Sequence, residues 1–233
     1  MAVGIFAHRG SSFHHAEQSR ESFIAAIEEG ADGIECDVRL TADRVAFCWH
    51  DRDLERLTGI REPISKVRSS DLKSMRIHDR NHQGTPITFE ELAQIAADAK
   101  VRLLVETKHP VLTGSAVEVE IARVAKRFGI EVHLLSFSFT AVRRAEELLP
   151  DFDHVQLIQH SRLLPLVQTK LIGLDIELIR KDPKIIDALH DRGKEIFVWT
   201  VNDDEEFRSL AARGVAGIIT DIPAQAKLVL GYP

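Results

Sequence analysis

Short apolar runs alternate with helical patterns along most of this chain, and this alternation limits the folds that it can adopt. Repeated strand–helix–strand units predict a parallel sheet, because each helical crossover returns the next strand in the same direction. A chain of 233 residues suits a closed (β/α)8 TIM barrel, a fold that typically takes about 250 residues. We predict strands at residues 3–7, 33–38, 45–49, 103–107, 132–137, 155–158, 172–176, 196–201 and 217–220, and helices at 19–29, 89–99, 115–128, 141–148, 162–169, 183–192 and 205–213.

Nine predicted strands are one too many for an eight-stranded barrel, and the extra strand is 45–49. Only about six residues separate it from the preceding strand, whereas a helical crossover needs about a dozen or more. A β-hairpin is therefore the simpler connection. With a turn centred near Ala42-Asp43-Arg44, residue 36 lies opposite residue 50, and His50 returns to the level of Glu35 and Asp37.

Residues 52–85 are the least regular stretch, polar, mixed in charge and rich in Arg, Ser and His. A long stretch without regular structure inside a compact domain is usually functional or partly structured. Because it directly follows His50 and Asp51, we expect a small irregular insertion, or lid, over the barrel mouth. It has too few apolar residues for its own core, so we predict one domain over residues 1–233.

The charge balance bears on the partners that the chain could have. The formal net charge is −6, with both signs mixed along the sequence. Nucleic acid is therefore not expected as a partner, since it would call for a basic stripe. An anionic small molecule stays compatible, because a local cluster of Arg, Lys and metal can reverse the field at one site.

The cysteine content and the hydropathy pattern bear on where the protein works. Cys36 and Cys48 do not make a disulfide framework in so large a chain, and we expect both to be small buried residues. No secretory signal precedes the first strand, and no uncharged apolar run approaches the roughly 20 residues of a membrane span. We expect a reduced, cytoplasmic protein without stable membrane insertion.

Three acidic residues fall at predicted strand ends. Glu35 and Asp37 are two apart on one strand, so their side chains share a face, and Glu106 ends the next barrel strand. Ionised carboxylates are costly to bury together without a cation or a proton. Three oxygen ligands without a Cys favour Mg²⁺ or Ca²⁺. The alternative is a pair of solvated acids salt-bridged to Arg39.

Two histidines and two cations flank the same acids. His8 and His50 occupy rim positions, and because histidine titrates near neutrality, one can accept a proton while the other donates one. Arg9 and Lys108 could bind a phosphate, Arg through a bidentate fork and Lys as a point charge. Salt bridges to the carboxylates are the competing role for both cations.

Two further rim residues come late in the chain. Trp199 ends a predicted strand and could pack on the apolar face of an alcohol, with a structural position between strand and helix as the alternative. Asp221 follows the last predicted strand, where we expect helix capping or barrel closure.

These motifs resemble those of the glycerophosphodiester phosphodiesterase family, and the resemblance runs from about Phe6 to Pro223. That family carries a His-Arg-Gly start, a Glu-x-Asp strand, a His-Asp pair, a Glu-x-Lys strand, a late Trp-Thr-Val-Asn and a closing Thr-Asp. All occur here in that order: His8-Arg9-Gly10, Glu35-Cys36-Asp37, His50-Asp51, Glu106-Thr107-Lys108, Trp199-Thr200-Val201-Asn202 and Thr220-Asp221.

The resemblance implies a TIM barrel of the phospholipase C-like phosphodiesterase type and a role for each matching residue. His8 and His50 would be the catalytic pair. The metal ligands would be Glu35, Asp37 and Glu106, for a divalent cation that is Mg²⁺ or Ca²⁺. Arg9 and Lys108 would contact the phosphate and Trp199 the glycerol of a small-molecule glycerophosphodiester.

One motif departs from the family. Where the family usually has Pro-Glu-Asn-Thr, this chain has Ala16-Glu17-Gln18-Ser19. The acid is retained, so we expect Glu17 to orient Arg9. The loss of Pro and Asn leaves the rigidity of the loop, and with it the substrate preference, as open questions.

The reaction implied is metal-dependent hydrolysis to sn-glycerol 3-phosphate and an alcohol. Its nucleophile could be water, or the glycerol 2-hydroxyl through a cyclic phosphate. The alternatives are a lysophospholipase D-like or cyclising phosphodiesterase acting on lysolipids, and a non-catalytic barrel that binds phosphodiesters.

Overall fold

The structure is a computed structural model that describes residues 3–232. Its strands confirm all nine predicted ones and add four short ones within residues 53–84. In chain order they are β1 (Gly4–His8), β2 (Gly33–Leu40), β3 (Ala46–Cys48), β4 (Asp53–Leu54), β5 (Ile60–Pro63), β6 (Ile77–Asp79), β7 (His82–Gly84), β8 (Arg102–Thr107), β9 (Val132–Ser136), β10 (Val155–Ile158), β11 (Leu171–Asp175), β12 (Glu195–Trp199) and β13 (Gly217–Thr220).

The helices lie between the strands, as the alternating pattern predicts. They are α1 (Arg20–Glu28), α2 (Glu55–Thr58), α3 (Ser69–Ser74), α4 (Phe89–Ala99), α5 (Ala116–Phe128), α6 (Phe139–Leu148), α7 (Ile176–Lys181), α8 (Ile185–His190), α9 (Asp204–Ala212) and α10 (Pro223–Leu230). Two 3₁₀ segments, Ile64–Lys66 and Ser161–Leu166, complete the set. No helix within residues 3–232 has the length and apolar character needed to cross a bilayer.

Eight parallel strands close into a barrel. The order around it is β1, β2, β8, β9, β10, β11, β12 and β13, and β1 pairs with both β2 and β13. β3 lies outside the barrel count, antiparallel to β2. The predicted (β/α)8 fold is confirmed.

The hairpin has the predicted register. Val38 lies opposite Cys48 and Leu40 opposite Ala46, and continuing this register places residue 36 opposite residue 50. The backbone N–H of Trp49 donates to the carbonyl of Asp37 at 2.8 Å. His50 therefore lies beside the part of β2 that carries Glu35 and Asp37.

Two apolar layers hold the barrel together. One fills its interior and includes Phe6 and Phe197, whose ring centroids are 5.5 Å apart. The other lies between the strands and the surrounding helices. Gly33 is required by the inner layer, because a Cβ there would lie 2.6 Å from the ring of Phe6 and 2.8 Å from the backbone carbonyl of Arg102. Burial of apolar area is worth about 25 cal/mol per Å², so these layers dominate the stability.

Residues 53–84 are more regular than predicted. They form the two-stranded pairs β4–β5 and β6–β7 and the helices α2 and α3. The buried Leu57 and Leu72 of this insertion pack in one cluster with Phe47 and Trp49 of the hairpin. The expectation of an irregular segment was wrong, because hairpin side chains supply the apolar surface that the insertion lacks.

One predicted helix needs correction, and two helices were not predicted. The segment predicted as a helix at 162–169 is a 3₁₀ segment that contains Pro165, which lacks the N–H that an α-helix would use. Helix α7 was missed because it begins at Ile176, directly after β11, inside the apolar run that we assigned to the strand. Helix α10 was missed despite Pro223 in its first turn and Gly231 at its end.

Candidate active site

Three neighbouring strands place most of the predicted site residues together. His8 of β1 lies beside Glu35 of β2, and Asp37 of β2 lies beside Glu106 of β8. Lys108 follows β8 directly. All these residues stand at the carboxyl ends of the strands, the end of a TIM barrel at which active sites form.

The three predicted acids form one buried cluster. An oxygen from each of Glu35, Asp37 and Glu106 lies within 4.8 Å of the others, and the residues are only 3%, 1% and 9% exposed. Burial and the charge of Asp37 raise the pKa of Glu35 well above its usual value. The same two causes raise the pKa of Glu106 to about 7.

Asp37 is the ionised member of the cluster. Burial would raise its pKa, but Lys108 and Arg9 overcome this and hold the pKa below its usual value. Lys108 Nζ lies 2.6 Å from both Asp37 Oδ1 and Glu106 Oε1. Arg9 Nε lies 3.2 Å from Asp37 Oδ2.

The acids do not pair with Arg39, which was the alternative interpretation. Arg39 Nε instead donates to the backbone carbonyl of His50 at 2.8 Å, and Lys108 and Arg9 are the counter-ions of the cluster.

The cluster fits a divalent cation. Its donors are carboxylate oxygens alone, the set that Mg²⁺ and Ca²⁺ prefer. The pKa values of Glu35 and Glu106 are raised, in part because Arg9 and Lys108 do not fully neutralise the negative charge of the cluster. The position of the Lys108 ammonium between two of the acids marks where positive charge is favoured.

Each predicted histidine is held by an aspartate. His8 Nδ1 lies 2.7 Å from Asp221 Oδ1, and His50 Nδ1 lies 2.8 Å from Asp51 Oδ1. A carboxylate accepts a hydrogen bond, so in each neutral ring Nδ1 carries the proton and Nε2 is left as the basic nitrogen. His8 Nε2 faces the acid cluster, 4.0 Å from Glu35 Oε2.

Burial sets the protonation of His50. It lowers the pKa of the ring, and the charges of Arg9 and Lys108 lower it further against the opposing effect of Asp37. His50 is therefore neutral at pH 7 and able to accept a proton at Nε2.

The loop after β1 holds Arg9 in an uncommon conformation. Arg9 has φ 57°, and Gly10 follows with φ 84°. A Cβ on Gly10 would lie 2.6 Å from the backbone of Ser22, so only glycine fits there. Glu17 Oε1 accepts from Arg9 at 2.9 Å and from Arg56 of the insertion at 2.7 Å.

The residues that depart from the family at 16–19 are tied into the protein by hydrogen bonds. Gln18 is fully buried, and its side-chain amide donates to Asp37 Oδ2 at 2.6 Å. Ser19 caps α1 by accepting from the backbone N–H of Ser22. Both replacements therefore make hydrogen bonds inside the protein, to β2 and to the first turn of α1.

Trp199 lies on the far side of the barrel from the acids, at the end of β12. It is partly buried, and its ring meets Phe137 edge to face with centroids 5.6 Å apart. Its indole nitrogen has no hydrogen-bond partner within residues 3–232. This tryptophan therefore forms the opposite wall of the mouth.

Reasoning from the sequence missed several supporting residues. Asp221, for which helix capping or barrel closure was expected, makes no capping hydrogen bond to α10. It joins His8 to Ser12 and Asn202 through hydrogen bonds of 2.7, 2.9 and 2.6 Å, and so links the ends of β1 and β13 where the barrel closes. Its place directly after β13 was the available signal, since strand ends carry the rest of the site. The sequence held no such signal for Gln18, because this residue of the loop before α1 reaches Asp37 only once the chain has folded.

Comparisons with known proteins identify the family. A probable glycerophosphodiester phosphodiesterase 1 of Mycobacterium tuberculosis is 31% identical over 96% of this chain and 90% of its own length. A glycerophosphodiester phosphodiesterase of Thermotoga maritima superposes with a TM-score of 0.79 at 25% identity, over 99% of this chain and 98% of that one.

A phosphodiesterase of Oleispira antarctica, solved in complex with the product sn-glycerol-3-phosphate, shares the fold with a TM-score of 0.87 at 21% identity, over 99% and 97% of the two chains. The model of the glycerophosphoryl diester phosphodiesterase family matches residues 8–225. The chain belongs to this family and is an enzyme of that kind.

Proposed function

We propose that this enzyme hydrolyses glycerophosphodiesters to sn-glycerol 3-phosphate and an alcohol, with a divalent cation and two acid–base histidines. The observation that carries the proposal is the pair of His–Asp hydrogen bonds, which leave Nε2 of His8 and of His50 available beside a buried cluster of three acids. The solved Oleispira antarctica relative with its glycerol phosphate product supports the choice of substrate class.

Glu35, Asp37 and Glu106 would hold the cation, Mg²⁺ or Ca²⁺. When bound, it supplies positive charge that neutralises the phosphoryl oxygens and lowers the barrier to attack. Lys108 and Arg9, which pair with the acids in this structure, would contact the same phosphate. Glu17 keeps the guanidinium of Arg9 in position, and Trp199 packs against the glycerol.

The two histidines move the protons. One Nε2 takes the proton of the attacking hydroxyl as the oxygen–phosphorus bond forms, and the other protonates the alcohol oxygen as its bond to phosphorus breaks. His50 suits the base in the first step because its pKa is lowered by burial. In the cyclic route the two residues reverse these roles while water opens the cyclic phosphate, and in direct attack by water each exchanges its proton with solvent before the next turnover. Such proton transfers contribute about 10²–10⁴-fold to the rate.

A coupled assay for sn-glycerol 3-phosphate, with and without EDTA, tests the reaction. We expect activity with Mg²⁺ or Ca²⁺, loss with EDTA, and a drop of about 10²-fold or more in His8→Ala and His50→Ala. His78→Ala is the matched control, because His78 is exposed on β6. Folded, metal-loaded protein that turns over no simple glycerophosphodiester would contradict the proposal.

A substrate without the glycerol 2-hydroxyl decides the nucleophile. Efficient turnover identifies water, because the cyclic phosphate then cannot form, and a complete loss identifies the cyclising route. Because the chain belongs to a family of enzymes, a non-catalytic binding barrel is no longer an alternative.

Within this proposal the chain acts as one domain, with residues 52–85 as a lid over the mouth. Arg56 of α2 supports this role, since it contacts Glu17 and Asp51 at 2.7 and 2.6 Å. A cytoplasmic location and the absence of a nucleic-acid partner stay predictions from the sequence.

A further inference from the structure

A cavity of about 530 Å³ opens beside Lys108. Its walls come from the β2–β3 hairpin, the 3₁₀ segment of the insertion and the loop that follows β8. Pockets of roughly 300–1,000 Å³ hold small molecules. Lys108 lines the cavity and also contacts Asp37 and Glu106 at 2.6 Å, so one residue borders both the cavity and the acid cluster.

The charge of this cavity is one-sided. Three cations line it, Arg39, Arg52 and Lys108, and none of its lining residues is acidic. This is unexpected in a chain with 36 acidic and 30 basic residues. Lys108 is already paired with the acid cluster, so the two arginines carry the charge that is left.

Neither arginine has an ion-pair partner within residues 3–232. Arg39 donates through Nε to the carbonyl of His50, and none of its other nitrogens makes a hydrogen bond to the described chain. Arg52 is exposed, and its backbone carbonyl accepts from Ile64, another residue of the cavity wall. Two unpaired guanidinium groups in one cavity favour an anion, which Arg binds through two parallel hydrogen bonds.

The remaining walls exclude a cationic ligand. They are largely aliphatic, as at Leu40, Val111 and Leu112, and contain no Phe, Tyr or Trp. A quaternary ammonium group is usually held by aromatic faces or by carboxylates, and both are lacking among the lining residues. His109 is no substitute, because its Nε2 is bound to Glu118 at 2.6 Å.

We propose that this cavity binds the leaving alcohol and selects glycerophosphodiesters whose alcohol carries its own carboxylate or phosphate. The inference rests on the proposed function. The cavity takes the alcohol rather than the glycerol because Arg39 joins it to His50, while Trp199 stands on the opposite wall of the mouth at β12. Choline-like alcohols are disfavoured by the like charge of the arginines.

The test compares glycerophosphodiesters that differ only in the alcohol: glycerol, choline, 3-hydroxypropanoate and 2-phosphoethanol. Release of sn-glycerol 3-phosphate gives kcat/KM for each. We expect the two anionic alcohols to exceed choline by about 10-fold or more, which is the discrimination of one charged hydrogen-bonded contact. The carboxylate and phosphate arms separate the two anion chemistries.

Arg52→Met isolates the contribution of the cavity, because Arg52 touches none of the proposed catalytic residues. We expect kcat/KM to fall about 10-fold for the anionic alcohols and clearly less for the glycerol compound, whose alcohol carries no charge for Arg52 to bind. Arg68→Met is the matched control, since Arg68 is an exposed insertion arginine outside the cavity, and its anionic preference should equal that of the wild type.

Ser65→Trp provides a second, steric arm. Ser65 is an exposed residue of the cavity wall, so an indole there should reduce turnover of large alcohols and spare a glycerophosphodiester of methanol. Equal turnover of choline and anionic compounds, or an Arg52→Met effect that is the same on all alcohols, would overturn this inference alone. No product from any compound would overturn the proposed function and the inference with it.

Discussion

Asp221 and Asp51 give the two histidines their chemistry. Each accepts a hydrogen bond at Nδ1, and so each determines which ring nitrogen is basic. Asp221 is the more constrained of the two, because Ser12 and Asn202 fix its carboxylate from both sides. At the scale of single residues, the reactivity of each histidine therefore depends on the aspartate that orients it.

Asp221→Asn should lower kcat by about 10²-fold with little change in KM, because the amide can present its N–H to His8 and favour the wrong tautomer. Steady-state kinetics on a glycerophosphodiester measures this. Asp151→Asn, an exposed change without hydrogen bonds to lose, is the control. An unchanged kcat in Asp221→Asn would show that the tautomer of His8 does not limit turnover.

Asp221 also makes stability depend on acid. Burial would raise its pKa, but His8, Asn202 and Ser12 lower the pKa to about 2. In the unfolded state the pKa of an aspartate is about 3.9. Because the pKa is lower in the folded state, the ionised carboxylate stabilises the fold at pH values above about 3.9. This stabilisation is lost as the pH falls through about 2.

The contribution of Asp221 is about 2–3 kcal/mol at neutral pH. Urea unfolding between pH 6 and pH 2 should therefore show a smaller loss of stability in Asp221→Asn than in the wild type. Parallel curves for the two proteins would place the acid sensitivity elsewhere.

At the scale of elements, the β2–β3 hairpin does two jobs. It reverses the chain so that His50 lies beside the acids of β2. It also supplies Phe47 and Trp49, against which the insertion packs. The indole N–H of Trp49 donates to the carbonyl of Asp53 at 2.9 Å, which joins hairpin and insertion directly. The position of Arg56 over the mouth thus depends on packing below it.

Leu72→Ala should loosen the insertion. Leu72 is fully buried in the cluster on Phe47 and Trp49, and a large-to-small change of this kind costs about 2–5 kcal/mol. Hydrogen exchange should rise in residues 53–84 more than in the barrel strands. Leu228→Ala is the control, since Leu228 is 74% exposed. Uniform exchange over the whole chain would mean that insertion and barrel unfold together.

Part of this element could be predicted and part could not. The short spacing between two strand-like runs sufficed for the hairpin and its register, because only a tight turn can span it. The insertion looked irregular because its strands have two to four residues, too few for a visible alternation. In addition, part of its core comes from Phe47 and Trp49 on another element.

At the scale of the whole molecule, barrel closure assembles a charge cluster that no segment contains. Glu106 approaches Asp37 only because β8 pairs with β2, some 70 residues away in the chain. The resulting burial raises the pKa of Glu106 to about 7 and that of Glu35 above its usual value. The fold thus sets the affinity of the cluster for protons and for cations.

Cation affinity should rise between pH 6 and pH 8. Below about 7 the carboxyl of Glu106 holds a proton that a cation must displace, so binding releases protons. Calorimetry with Mg²⁺ at pH 6 in two buffers of different ionisation enthalpy measures the release. Glu106→Gln should bind weakly with less proton release, and an affinity independent of pH would contradict this account.

The sequence alone was enough to determine the alternating barrel, the hairpin, the family and the residues that end each strand. The barrel, the hairpin and the strand ends follow from local periodicity and spacing along the chain, and the family follows from the resemblance of the motifs. Only the tertiary structure decided which side chains support the site, such as Gln18 on Asp37 and Asp221 on His8. It also decided that the insertion has a core and that an arginine-lined cavity adjoins Lys108. These depend on contacts between distant segments, whose geometry exists only once the barrel has closed.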